Sequence, residues 1–119
     1  MTPFQEQLKS KMHAYVRFVY RVTKNFPRDE IYGVTSQIRR AAVSIVLNFI
    51  EGYARRKLLV QLNFFETSYG SLQESKYLLL LSSEEAYMTQ DEYKIGTKMA
   101  EEIGAMLWTE IISIDKSAK

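Results

Sequence analysis

Cationic side chains recur at helical spacing in the first quarter of the chain. Arg17, Arg21, Lys24 and Arg28 follow one another at steps of four, three and four residues, so a helix places them on one face. Several cations on an accessible face are what nucleic-acid phosphates require. The further candidates for phosphate contact are Arg39, Arg40, Arg55, Arg56 and Lys57. The alternative is a solvated face, with the last three charges compensating a helix dipole.

A stripe of polar residues runs through the most apolar segment, Thr35 to Arg56. Its members are Gln37, Arg40, Ser44, Asn48 and Glu51, and we expect Ser71 and Glu74 of a later helix to face them. Carboxylate, amide and guanidinium groups in a cleft can bind a ligand. We favour a structural network that fixes helix register, because each polar group left unpaired inside a protein costs roughly 1 to 3 kcal/mol.

Two apolar flanks border this stripe. The first consists of Ile38, Ala41, Ala42, Ile45 and Phe49, and the second includes Val43, Val46, Leu47 and Ile50. An ordinary surface helix buries one stripe of roughly 100°. We therefore predict that the first flank faces the bundle core and that the second contacts another copy of the chain.

Patterns for catalysis or metal binding are missing. His13 is the only histidine and there is no cysteine, so a histidine-based zinc site lacks a second ligand and a di-iron bundle lacks its two Glu-x-x-His elements. Trp108 and the tyrosines are predicted to be packing and interface groups rather than a cofactor site, and no RNA-recognition motif with exposed stacking aromatics is apparent. We expect no enzymatic activity, no metal and no cofactor.

The totals indicate a single domain spanning residues 1–119. With 46% hydrophobic and 25% charged residues, five glycines and two prolines, the composition favours an all-α fold. No run reaches the ~20 apolar residues that span a bilayer, and no secretory signal is present, so we expect a cytoplasmic protein without a membrane role. Residues 1–57 hold eleven Lys or Arg against four Asp or Glu, a net +7, whereas residues 58–119 hold five against ten, a net −5.

Apolar periodicity and capping residues divide the chain into four helices. The first helix follows Thr2-Pro3 and ends at Phe26, and the second runs from a Thr35 cap to Ala54. The third helix spans Leu58 to Leu81, and the fourth follows a capping box at Thr89 to Glu92. Gly70 inside the third helix suggests close approach of another backbone. Helices of similar length joined by short links predict an antiparallel up-down-up-down four-helix bundle.

The segment from Val22 to Arg56, VTKNFPRDEIYGVTSQIRRAAVSIVLNFIEGYARR, resembles the four-helix bundle family of ribosomal intervening-sequence proteins. The matching elements are Phe26-Pro27, Glu30, Gly33, Thr35-Ser36-Gln37, Arg39-Arg40-Ala41, Ser44-Ile45, Asn48, Glu51-Gly52 and Arg55-Arg56, with Gly70-Ser71-Leu72, Glu74 and Glu92-Tyr93 further on. Members are often encoded within inserts of bacterial large-subunit rRNA genes. The accessory proteins of diversity-generating retroelements are similar in fold, with a weaker sequence match.

The resemblance implies a bundle that assembles into a ring-like homo-oligomer, with a pentamer as the best expectation, and it implies no reaction. Together with the positive first half, it leads us to expect a non-enzymatic homo-oligomer that binds RNA or a ribonucleoprotein. The alternative is a protein-interaction or scaffold module in which the charge split serves contacts between subunits. The segment that contains Val46, Leu47, Phe49 and Ile50 departs from the family pattern by being more apolar than usual.

Overall fold

Four long α-helices make up most of the computed structural model, which describes residues 1–119. They are α1 (Pro3–Thr23), α2 (Val34–Ala54), α3 (Leu58–Glu84) and α4 (Gln90–Ala118), with a short 3₁₀ turn at Arg28–Glu30. Each helix packs against its two neighbours around a ring. Across the core, the hydroxyl oxygens of Tyr15 in α1 and Ser75 in α3 lie 2.9 Å apart. This arrangement confirms the predicted all-α, antiparallel four-helix bundle. The short links explain it, because they make consecutive helices antiparallel neighbours.

The ends of the helices follow from local capping. Thr2 and Thr89 each accept from the backbone of a residue three positions on, and the side chain of that residue reaches back to complete a capping box. The predicted Thr35 cap is wrong. Helix α2 begins at Val34 with Gly33 at the cap position, and Thr35 is buried inside the helix. A carboxylate takes the place of the missing cap, because Oε1 of Glu30 accepts from the backbone N–H of Val34 at 3.3 Å.

All four helices contribute to one apolar core, of which Leu8, Tyr15, Phe49, Phe65, Leu79 and Ile103 are fully buried members. The first flank of α2 lies entirely within the buried set, as its period predicts. The second flank remains at the surface of the single chain. Val43 and Val46 are half-buried, whereas Leu47 is 58% and Ile50 is 42% exposed.

Helices α2 and α3 approach closely at a glycine, although a different one from that predicted. A Cβ on Gly52 would lie 2.7 Å from a ring carbon of Phe65, whereas a Cβ on Gly70 would meet nothing within 4 Å. The expectation of a close backbone contact at Gly70 is therefore wrong. Further along the same interface, the hydroxyl of Ser68 donates to the backbone carbonyl of Ile45 at 2.7 Å.

The ring order of the helices separates the charges into two layers. Helices α1 and α2 pack together and belong to the half of the chain with net +7, while α3 and α4 belong to the half with net −5. The molecule therefore has a cationic side and an anionic side. None of the four helices is long and apolar enough to cross a membrane.

Candidate nucleic-acid interface

The second half of α1 and the turn after it form a cationic surface, which we call the α1 ridge. Arg17, Arg21, Lys24 and Arg28 are all exposed. Helical spacing accounts for the first three, whereas α1 ends at Thr23 and Arg28 lies on the 3₁₀ turn beyond it. None has a carboxylate within ion-pair distance, since the four ion pairs of the chain involve Lys9, Lys11, Arg55 and Lys119. These four charges are therefore available to an anionic partner.

Arg39 and Arg40 extend this surface onto the start of α2, in two different environments. Arg39 is half-buried: its Nε donates to Oγ1 of Thr23 at 2.9 Å, and its Cζ lies 4.6 Å from the ring centroid of Tyr20. The hydroxyl of Thr23 in turn donates to the carbonyl of Val19 at 2.7 Å. Arg40 is exposed and forms neither a hydrogen bond nor an ion pair with another side chain. One guanidinium is thus held in place while the other is free.

An open groove of about 640 Å³ runs beside these two arginines. Its lining consists of Tyr20, Ile31, Tyr32, Thr35, Ser36, Arg39, Arg40, Val43, Ser44, Leu47 and Asn48. Tyr20 also borders a second cleft, of about 440 Å³, whose other walls are Val16, Arg17, Arg21 and Lys24. The ridge on α1 and the groove on α2 therefore meet at Tyr20. We call the larger of these two spaces the α2 groove.

Exposed aromatic rings belong to this surface, although no recognition motif in the sequence identifies them. Tyr20 is 41% and Tyr32 is 94% exposed, and both line the α2 groove. A signal for Tyr20 was present in the sequence, because it lies three residues after Arg17 and four before Lys24 and so shares their helical face. Tyr32 lies in the link before α2, where no helical period reveals the direction of a side chain.

The remaining predicted phosphate contacts lie at the opposite end of α2. Arg40 and Arg56 are sixteen residues apart in sequence, which is roughly 24 Å along a helix. Arg55 forms an ion pair with Glu51 and lies over the ring of Phe64, with 5.2 Å from Cζ to the centroid. Arg56 and Lys57 are exposed without an ion pair. The structure thus brings the α1 ridge together with Arg39 and Arg40, and keeps the other three apart.

The polar stripe of α2 is joined by hydrogen bonds only at its centre. Ser44 and the buried Ser71 have their hydroxyl oxygens 2.8 Å apart, and Nδ2 of Asn48 lies 2.9 Å from both oxygens of Ser44. The outer members, Gln37, Arg40, Glu51 and Glu74, are not part of this hydrogen-bonded centre. An open cleft of about 430 Å³ between α2 and α3 is lined by Gln37, Arg40, Ala41, Ser44, Ser71, Glu74 and Leu78.

Two of the predicted oligomer contacts lie in the α2 groove itself. Val43 and Leu47 line it, whereas Val46 packs against the core and Ile50 lies beyond the groove. Residues predicted for self-association and for phosphate contact therefore share one surface. A partner that covers Leu47 also approaches Arg39 and Arg40.

A carboxylate–phenol contact anchors the segment that forms one wall of the groove. The hydroxyl of Tyr87, in the turn between α3 and α4, donates to Oε2 of Glu30 at 2.7 Å. This hydrogen bond is the main reason that the pKa of Tyr87 is raised to about 12. Its ring also lies 5.6 Å from that of Phe26, centroid to centroid. The link between α1 and α2 is thus held against the α3–α4 turn.

Acidic and imidazole side chains form no cluster of three suited to a metal ion. His13 lies exposed on α1. Trp108 is half exposed and pairs with Tyr69, with ring centroids 5.3 Å apart.

The fold and this surface define a small antiparallel helical bundle with an open cationic groove on one layer. The chain belongs to the 23S rRNA-intervening sequence protein family, whose sequence profile matches residues 5–109. Its fold is similar to the crystal structure of a protein of unknown function from the S23 ribosomal protein family of Bacteroides thetaiotaomicron. That likeness has a TM-score of 0.78 at 23% identity and covers 87% of this chain and 97% of the other. No curated protein matches the sequence.

Proposed function

We propose that this protein is a non-enzymatic, homo-oligomeric bundle that binds RNA through the α1 ridge and the α2 groove. The observation that carries the proposal is the absence of any carboxylate partner for Arg17, Arg21, Lys24, Arg28 and Arg40. Unpaired cations on one face attract nucleic-acid phosphates, and binding releases the counterions that those phosphates hold in solution. Structured large-subunit rRNA is the ligand we favour, because the family is named for intervening sequences in 23S rRNA. We propose that this takes place in the cytoplasm.

Charge reversal with a matched control tests the proposal. The triple variant Arg17→Glu, Arg21→Glu, Lys24→Glu removes the ridge, and Lys94→Glu, Lys98→Glu, Lys116→Glu makes the same charge change on α4. Binding of an rRNA fragment is measured by electrophoretic mobility shift across a salt series. We expect only the ridge variant to bind weakly. The slope of log affinity against log salt should become shallower by roughly 0.7 to 0.9 for each phosphate that the variant no longer neutralises.

Two outcomes would count against RNA binding by this face. The first is that the wild-type protein binds no RNA even at the lowest salt, where backbone contacts are strongest. The second is that the α4 control loses as much affinity as the ridge variant, because only the total charge would then matter.

The exposed apolar residues of α2 support the second candidate, a self-associating scaffold without RNA. Leu47 and Ile50 lie on one flank at the surface of the single chain, and apolar area of this kind is commonly covered by a partner. The family resemblance points to a pentameric ring. Leu47→Glu should lower the particle mass in light scattering, whereas Ile95→Glu, a similarly exposed position on α4, should not. A wild-type protein that is monomeric at all concentrations would contradict self-association.

A further inference from the structure

The α2 groove contains more than a phosphate-binding surface needs. Backbone phosphates require cations alone, yet this groove adds the phenol rings of Tyr20 and Tyr32 and an apolar wall that includes Leu47. Tyr32 buries almost none of its ring in the folded chain, and Tyr20 leaves a large part exposed. Exposed rings beside arginines that have no carboxylate partner are the combination found where single-stranded bases stack and the adjoining phosphates are neutralised.

We propose that the α2 groove binds unpaired nucleotides of a single-stranded RNA segment, with bases stacked on Tyr32 and Tyr20 and phosphates at Arg40 and along the α1 ridge. The inference rests on the proposed RNA binding and specifies the strand state that is recognised. The second cleft, which meets the groove at Tyr20, provides the continuous cationic path that successive phosphates of one strand require.

Two contacts keep the stacking surface in place before a base arrives. The guanidinium of Arg39 covers one side of Tyr20 at 4.6 Å and is itself held by Thr23 at 2.9 Å. Polar groups at the groove edge, Ser36 and Asn48, offer hydrogen bonds to base edges. Nδ2 of Asn48 already donates to Ser44, so the side-chain oxygen Oδ1 of Asn48 remains as an acceptor.

Charge argues against the most direct competing occupant, the same groove of a second copy. Two such faces brought together by a two-fold axis would place Arg39 and Arg40 opposite like charges, which is unfavourable. A strand of phosphates with apolar base faces complements both the cations and the rings. If a different, acidic surface of another copy occupies the groove instead, Tyr32→Ala should change the particle mass and leave RNA affinity unaltered.

Three probes of equal length separate base stacking from backbone charge. They are a fluorescein-labelled single-stranded RNA of about twelve nucleotides, the duplex of the same sequence, and an abasic strand with the same number of phosphates. Affinities are measured by fluorescence anisotropy at low and moderate salt for the wild type, Tyr32→Ala and Tyr32→Phe. Tyr77→Ala is the matched control, since Tyr77 is also exposed but lies on α3.

We expect the single strand to bind more tightly than the abasic strand and the duplex. Tyr32→Ala should lower affinity for the single strand by roughly tenfold to a hundredfold, while affinity for the abasic strand stays unchanged. Tyr32→Phe should retain most of the affinity because the ring remains, and Tyr77→Ala should behave as wild type. Because Tyr32 is almost fully exposed, its removal leaves the core intact.

Equal affinity for the single strand and the abasic strand, or a Tyr32→Ala variant that matches Tyr77→Ala, would overturn the inference. In that case the ridge charge-reversal variant should still lose affinity for all three probes, and the proposed RNA binding stands. If no probe binds to the wild type at low salt, the proposed function itself fails. A change in particle mass for Tyr32→Ala, with RNA affinity unaltered, would assign the groove to another copy of the chain.

Discussion

The guanidinium of Arg39 lies over the ring of Tyr20, with 4.6 Å between Cζ and the ring centroid, and thereby joins α2 to α1. The same side chain donates from Nε to the hydroxyl of Thr23 at 2.9 Å. A cation–π contact contributes about 0.5 to 1 kcal/mol at a partly exposed site, and a hydrogen bond adds roughly 1 kcal/mol. Arg39 therefore contributes to the stability of the fold as well as to the charge of the groove.

Arg39→Ala should lower the free energy of unfolding by about 1 to 2 kcal/mol, because the substitution removes both of these interactions. Arg40→Ala, one residue further on and without a side-chain partner, should change it by less than about 0.5 kcal/mol. Urea denaturation followed by circular dichroism measures both. Equal effects of the two substitutions would show that the contact with Tyr20 has no stabilising role.

Alanine substitutions at Gly52 and Gly70 should have opposite effects. Alanine is the better helix former by about 1 kcal/mol, so Gly70→Ala, where a Cβ meets nothing within 4 Å, should stabilise the chain by roughly that amount. Gly52→Ala places a Cβ 2.7 Å from the ring of Phe65 and should destabilise it by about 1 to 3 kcal/mol. The melting temperatures of the two variants and the wild type measure these effects. A Gly52→Ala variant more stable than the wild type would contradict the close packing of Gly52 against Phe65.

Stability should fall at alkaline pH, in part through Tyr15. Burial raises the pKa of Tyr15 to about 12, against the smaller opposing effect of its hydrogen bond with Ser75. Below the unfolded pKa, near 10, the phenol is neutral in both states and its contribution to stability is fully present. As pH rises from there through the folded pKa, ionisation favours the unfolded chain, and two pKa units correspond to about 3 kcal/mol.

Tyr15→Phe should therefore reduce the difference in unfolding free energy between about pH 9 and about pH 11. Urea titrations at the two values measure it. Tyr77→Phe, at an exposed position, should leave the difference as in the wild type. An unaltered alkaline loss of stability in Tyr15→Phe would show that other groups cause it.

Tyr87→Phe tests the contact between the two links at one end of the bundle. It removes the hydrogen bond to Glu30 at 2.7 Å and leaves the ring packed near Phe26. Because the acceptor is a carboxylate, we expect Tyr87→Phe to lower the free energy of unfolding, although by less than the loss of a fully buried bond of this kind would. Hydrogen exchange at the Val34 amide should also become faster, since Glu30 accepts from it. Unchanged exchange at Val34 would show that its hydrogen bond to Glu30 does not depend on the hydrogen bond between Tyr87 and Glu30.

The sequence predicts the bundle well because its information is periodic. Apolar residues at helical spacing identify the core face of α2, and the capping box at Thr89 marks the start of α4. The start of α2 is missed because its cap, the carboxylate of Glu30, comes from a 3₁₀ turn that no helical period describes. The role of Gly70 is missed because a lone glycine does not tell which helix faces it.

The candidate site is predictable only in its charges. The exposure of Arg17, Arg21 and Lys24 follows from spacing on α1. The groove depends on where the link between α1 and α2 places Tyr32, and on the alignment of Tyr20 with Arg39, residues on different helices. Contacts of that kind are set by helix packing, which a one-dimensional pattern does not contain.

Glu30 uses one carboxylate oxygen for the amide of Val34 and the other for the phenol of Tyr87. The link that contains Ile31 and Tyr32 is thus fastened both to the helix it precedes and to the neighbouring turn. A ligand that reaches the groove meets a wall that is anchored at two points, so we expect no slow rearrangement before capture. The association rate constant should then approach the value set by diffusion and electrostatic steering, and added salt should slow association more than it speeds dissociation.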